Sequence, residues 1–289
     1  MKIFKNILNS LTPLEATQNT EERNSTQRIG ICLSGGGALG YAHIGVLQAL
    51  EDCGIYPDVG SGSSMGSVGG FAYAAGISPQ DMMLLIKNDK LYRITSLMNL
   101  PTTFWKASGF SNHQKLKKLI KEICPKNTFE SLKKELHVCV ANLNDGEWEI
   151  INSGNRIDDW LAASASIPGV YSPIKIDDKI YVDGGLLNNM PAQPLKEKCS
   201  VIIGSNVVSH SSVKKGLKMQ TAFLASIRTV EFQNSKEGCS LCDFLIEPNV
   251  LEKYHEFHFD AYQQIYQIGY SAVTKFIAEN PEILNLKNK

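Results

Sequence analysis

The chain has 289 residues, enough for one large domain with a substantial core, or for two small ones at most. Lysine plus arginine total 29, and so do aspartate plus glutamate; the balanced charge gives no whole-molecule attraction for nucleic acid. No apolar run reaches the length of a membrane-spanning helix, and seven cysteines form an odd set with no secretory signal visible, which points to reduced thiols and a cytoplasmic protein.

Residues 1–11 are mildly amphipathic, with Ile3, Phe4, Ile7, Leu8 and Leu11 at helical spacing beside Lys2 and Lys5. A packing helix is the simplest reading; a partner-binding helix and a weak membrane anchor are the alternatives. Residues 12–27 are polar, so 1–27 reads as a flexible or helical leader and 28–289 as one α/β domain. Residues 29–33 predict a short strand, stopped by Ser34-Gly35-Gly36-Gly37. A helix follows over 39–53, with Leu39, Ala42, His43, Val46, Leu47 and Leu50 on its apolar face and Gly54 as its cap. An extended piece over 56–61 leads to Ser64, and the helix predicted over 65–75 is rich in small residues that allow close packing on a sheet.

Residues 78–128 are mostly helical in pattern. Within them, 97–110 is irregular and carries Met98, Leu100, Phe104 and Trp105, as a mobile lipid-contacting flap or as a buried loop. Strands over 136–141 and 148–152 flank an Asp145-Gly146 hairpin turn. A helix over 157–165 stops before Pro168, and a strand over 180–182 ends at Asp183-Gly184-Gly185. A strand over 201–206 follows, then helices over 217–234 and 260–279 enclosing a strand at 243–246. Strands alternating with helices across glycine turns predict an α/β protein with a mainly parallel sheet.

Gly62-Ser63-Ser64-Met65-Gly66 fits the elbow in which a strand turns sharply into a helix and exposes a serine. The flanking glycines are needed because strand end and helix start crowd each other. Ser64 is in register, whereas Ser61, Ser63 and Ser67 lack a glycine on one or both sides. The plain alternative is a small residue in a tight turn. A serine hydroxyl is a poor nucleophile without a base, so the candidate bases matter.

The loop Gly35-Gly36-Gly37-Ala38-Leu39-Gly40 opens a helix and offers backbone N–H groups to an anion. That anion is a phosphate in a nucleotide site, or a carbonyl oxygen gaining charge in acyl transfer. The P-loop pattern is absent, but GxGxxG fits at Gly35, Gly37 and Gly40, so dinucleotide binding stays open, as does a structural loop. Asp183 stands at a strand end before two glycines, where a carboxylate can face a cleft or simply occupy a turn. Asp177 and Asp178 read as hairpin residues, and Asp158 and Asp159 as helix-start charges. His43 reads as a core histidine, and His113 and His137 have no helpful context. His210, His255 and His258 lie downstream of Asp183 and keep a Ser-His-Asp triad open. Cys239 and Cys242 have CxxC spacing but no second pair nearby, so buried or incidental thiols are preferred over a metal site.

Four blocks in order resemble the patatin-like phospholipases, most closely the small bacterial members: the glycine loop with Ala42-His43-Ile44-Gly45-Val46-Leu47 behind it, the Ser64 pentapeptide, Ala163-Ser164-Ala165-Ser166-Ile167-Pro168, and Asp183-Gly184-Gly185. The resemblance spans roughly residues 28–208. It implies a three-layer α/β/α sandwich and a lipid acyl hydrolase (phospholipase A, lysophospholipase or esterase) working through an acyl-enzyme, with no metal or other cofactor. It further implies Ser64 as nucleophile, Asp183 as base, and Gly35, Gly36, Gly37 and Ala38 around an oxyanion hole formed by the Gly36, Gly37 and Ala38 amides. The partner would be a phospholipid or other fatty-acyl ester, not nucleic acid; contact with a membrane surface and oligomeric state are left open. A non-catalytic lipid-binding relative is the competing reading. Two departures stand out: Leu39 occupies a position often Arg or Lys in the family, and Val59-Gly60-Ser61-Gly62 is richer in glycine than the usual strand.

Overall fold

A computed structural model describes residues 28–88, 113–209 and 218–287; the leader at 1–27, the candidate flap at 97–110 and His210 lie outside them. Eight strands make one sheet: β1 (Ile29–Leu33), β2 (Val59–Ser63), β3 (Glu135–Asn142), β4 (Glu147–Ile151), β5 (Ile174–Ile176), β6 (Lys179–Asp183), β7 (Val201–Ser205) and β8 (Phe244–Ile246). Their spatial order is β5-β6-β3-β2-β1-β7-β8, with β4 also paired to β3. The run from β3 through β2, β1 and β7 to β8 is parallel, and β4, β5 and β6 pair antiparallel at one end. The sheet is therefore mixed, with the expected parallel part running from β3 to the edge strand β8.

The described helices are α1 (Tyr41–Asp52), α2 (Ser64–Ala74), α3 (Pro79–Asn88), α4 (Gln114–Ile123), α5 (Ile157–Ser164), α6 (Gln193–Lys196), α7 (Met219–Ser240) and α8 (Tyr262–Glu279). Side chains alternate across a strand, and β1 divides accordingly. Ile29, Ile31 and Leu33 pack with Leu47 and Leu50 of α1, Leu85 of α3 and Ile265 of α8. Cys32 packs in a separate cluster with Val59, Ile202, Leu195 of α6 and Cys239 of α7. On β3, Leu136, Val138 and Val140 join Phe71 of α2, Ile120 of α4 and Leu161 of α5. Helices thus cover both faces, giving the expected three layers. Among the described residues, no helix is long and apolar enough to cross a membrane.

The helices α1 and α8 meet through glycines: a Cβ on Gly45 would overlap the Tyr266 carbonyl, and one on Gly269 the Ala42 carbonyl. Gly238 does similar work in α7, which runs to Ser240 rather than ending near 234. A Cβ there would collide with the Met190 carbonyl, so the glycine serves close approach. The strand β5 and the single-turn α6 are additions to the predicted elements, both too short for periodicity to reveal.

The pairing of β3 positions the site. β4 lies along Val138–Asn142, overlapping the stretches paired to β2 (Glu135–Cys139) and to β6 (Val140–Asn142). A strand has two edges, so β2 and β6 share the edge opposite β4. They approach head-on along it: Ser63 pairs with Cys139 and Asp183 with the next residue, Val140.

Candidate active site

Ser64 opens α2 directly after β2 and holds φ at +51°, the left-handed region that costs an L-residue about 1–3 kcal/mol. The turn is tight enough to fix its neighbours: a Cβ on Gly62 would lie 2.7 Å from the Gly66 carbonyl carbon, and one on Gly66 would overlap the Leu33 carbonyl. The Ser64 N–H donates to Ser164 Oγ at 3.0 Å, and that hydroxyl donates to the Cys139 carbonyl at 2.7 Å. Ser164 therefore ties the elbow to β3. Ser67 Oγ donates to the Ser64 carbonyl at 2.7 Å.

Ser64 Oγ donates to Asp183 Oδ2 at 2.6 Å, and the Gly185 N–H donates to Asp183 Oδ1 at 2.8 Å. Asp183 is 1% exposed. Burial pushes its carboxyl up to about 7, against the opposing pull of these two hydrogen bonds. The head-on meeting of β2 and β6 brings together two residues 119 positions apart.

In the glycine loop, Gly36 and Gly37 have φ of 153° and 57°, conformations open to glycine. Their N–H groups donate to no other described residue. The other two expected oxyanion residues differ: the Gly35 N–H donates to the Asn189 carbonyl at 3.2 Å and the Ala38 N–H to the Glu256 carbonyl at 2.8 Å. The loop thus offers two unengaged donors, because its flanks are stitched to neighbouring chain. Leu39 is fully buried in the core around α1, so the loop carries no cation.

The described histidines are occupied elsewhere. His43 Nε2 donates to the Ser34 carbonyl at 2.9 Å and Nδ1 pairs with Ser205 Oγ at 2.8 Å; burial lowers its pKa to about 4, as befits a core histidine. His113 stacks on Tyr171 and pairs with Ser166 Oγ, and burial likewise holds it at about 4. His137 faces Glu135, and His255 and His258 bond to each other. None of these described histidines is hydrogen-bonded to Ser64, whose hydroxyl meets Asp183 instead. Asp158 and Asp159 do lie in the first turn of α5. Cys239 and Cys242 are partly buried thiols that burial pushes up to about 11 and about 12. Among the described residues, no cluster of three or more His, Cys, Asp or Glu is placed to hold a metal ion.

Ser64 lines two cavities. One is apolar, about 380 Å³, and walled by Met65, Val68, Phe71, Leu85, Ile120 and other residues of α1 to α4. The other is about 20 Å³, roughly one water molecule's room; Gly36, Gly37, Arg228, Glu231 and Glu256 lie on its wall. Arg228 Nη1 donates to Glu256 Oε2 at 2.8 Å. Burial raises the Glu231 carboxyl to about 8, with the Asp183 and Glu256 charges adding and Arg228 opposing. A Cβ on Gly185 would stand 3.1 Å from Asp183 Oδ1 and 3.3 Å from Glu231 Oε1, so one glycine separates the two carboxyls. Arg228 and Glu231 on α7, and Glu256 in the chain before α8, belong to no sequence motif, and only tertiary packing brings them to Ser64.

The profile of the patatin-like phospholipase family matches residues 31–196, which holds the glycine loop, the elbow and the Asp183 turn. The chain belongs to that family. An uncharacterized NTE family protein of Mycobacterium tuberculosis is 32% identical over 173 residues, 60% of this chain and 46% of that protein. The lysophospholipase NTE1 of Saccharomyces cerevisiae is 24% identical over 279 residues, 85% of this chain and 16% of the yeast protein. The chain therefore spans less than half the length of these curated relatives. Human GIVD cytosolic phospholipase A2 superposes with a TM-score of 0.49 at 11% identity, over 99% of this chain and 63% of that structure.

Proposed function

We propose that residues 28–289 act as one serine lipid acyl hydrolase domain, cleaving a fatty-acyl ester of the phospholipid or lysophospholipid kind through Ser64 and Asp183. The observation that carries this reading is the 2.6 Å hydrogen bond to a buried carboxylate from the Oγ of Ser64, which lines an apolar cavity. Family membership and the yeast lysophospholipase among the relatives support the lipid ester as substrate.

In the proposed reaction Asp183 Oδ2 takes the hydroxyl proton as Ser64 Oγ attacks the ester carbonyl. The acyl chain lies in the apolar cavity. The carbonyl oxygen, now negative, is held by the Gly36 and Gly37 N–H groups, preset donors that need no reorganisation. Collapse breaks the ester C–O bond, and the alcohol leaves with the proton held by Asp183. Water then attacks the acyl-serine and gives its proton to Asp183. The second collapse returns that proton to Ser64 and frees the fatty acid. A carboxylate near pKa 3.9 is a weak base; one held at about 7 is matched to neutral pH.

The test is direct. Ser64→Ala removes fluorophosphonate labelling and turnover of mixed phospholipids, read by mass spectrometry of released products, while the melting curve stays cooperative. Labelling that persists in Ser64→Ala overturns the assignment. A wild type that binds lipid yet neither labels nor turns over ester is a binding module instead.

A further inference from the structure

The small cavity beside Ser64 holds groups the reaction above does not use. Arg228 lies on its wall, projected there by α7, with its side chain 15% exposed. One edge of the guanidinium is fixed, since Nη1 donates to Glu256 Oε2. Nε is buried and has no hydrogen-bond partner. Leaving a buried charged donor unmade is costly, and such a group in a native fold asks for an acceptor. Gly36 and Gly37, with their unengaged N–H groups, lie on the same wall. Arg228 and the two glycines therefore share the wall of a cavity about the size of one oxygen-bearing group, and Ser64 lines it too.

We propose that Arg228 supplies the positive charge of the oxyanion pocket, stabilising the negative oxygen that develops when Ser64 attacks an ester. This rests on the hydrolase reading above and adds a residue to it. The buried Leu39 side chain leaves the glycine loop without a cation of its own, so the charge comes from a distant helix. The Glu256 ion pair holds the guanidinium in place. On the same wall, burial and the anionic Asp183 and Glu256 raise the Glu231 carboxyl to about 8, which weakens its negative charge beside the arginine. Leu224, Ile227 and Phe257 complete the wall with apolar surface, which strengthens a charge interaction by excluding water.

Steady-state kinetics on a short p-nitrophenyl ester test this with wild type, Arg228→Gln, Arg228→Lys and Arg228→Ala, each checked by thermal melting. Arg228→Gln lowers kcat by about 10²-fold; its KM stays within about threefold, because the interaction is made in the transition state. Arg228→Lys, which keeps the charge, retains clearly more kcat than Arg228→Gln. Added guanidinium ion restores part of the activity of Arg228→Ala, which a purely architectural role does not allow. A kcat for Arg228→Gln within about threefold of wild type, equal loss in the lysine and glutamine variants, or no guanidinium rescue overturns the proposal. A wild type that shows no Ser64-dependent turnover overturns the hydrolase reading as well. Normal wild-type turnover beside an unaffected Arg228→Gln overturns this inference alone.

Discussion

In the proposed reaction Asp183 is both buried and basic, and its surroundings reconcile the two. Burial raises the carboxyl, while the Ser64 hydroxyl and the Gly185 N–H favour the charged form and limit the rise to about 7. The protonated acid cannot accept the Ser64 proton. Ester turnover therefore rises with pH through about 7 in kcat/KM, a profile measurable with a neutral substrate between pH 5 and 9. Asp183→Asn loses turnover by at least about 10²-fold across that range; a variant that keeps both rate and acid limb shows that another group is the base. Ser64 and Asp183 were legible in the sequence because crowding leaves a trace: glycines at fixed offsets mark the elbow and the turn. Ser164 was less legible as a support. It lies in the Ala163–Pro168 segment, but that it braces the elbow depends on where β3 runs.

Among the elements, α1 and α8 carry the tightest helix contact, and two glycines permit it. Replacing Gly269 by Ala drives a methyl into the Ala42 carbonyl. Backbone cannot rotate aside as a flexible side chain does, so the helices must separate. The expected cost is about 1–3 kcal/mol, read as a lower denaturation midpoint at unchanged slope. An unchanged midpoint means that the helices leave room for a methyl at this contact. Because α1 starts beside the glycine loop, turnover of Gly269→Ala is expected to fall with stability. Element types were readable from periodicity, and the central strands and α2, α5 and α8 fall within a few residues of expectation. Ends were harder to read. Gly238 resembles a terminator but sits inside α7, since a close neighbour and a helix stop ask for the same residue.

At the scale of the whole molecule, the polar side of the site costs stability. Asp183 and Glu231 titrate near 7 and 8 in the folded chain, against about 3.9 and 4.3 for free carboxyls. Both groups bind protons more readily folded than unfolded. Their contribution to stability is full below about pH 4 and is lost as pH rises through about 8. Melting temperature should fall between pH 5 and pH 9, and less steeply in Glu231→Gln, which removes one of the two titrations. Equal slopes for wild type and variant count against a carboxyl in that environment. The α/β class and layer order could be anticipated from the alternation of elements. The acidic and cationic wall contributed by α7 could not, since Arg228 and Glu231 look like ordinary helix-surface residues until the helix is docked over Ser64.

The shared edge of β3 works as a gauge. Two strands from distant parts of the chain halt at adjacent rungs, Cys139 and Val140, so the hydroxyl–carboxylate spacing is set by a third strand that contributes neither group. One extra residue at that junction would part the pair by about 3.3 Å, a strand's rise, and leave the layers standing around a disconnected proton path.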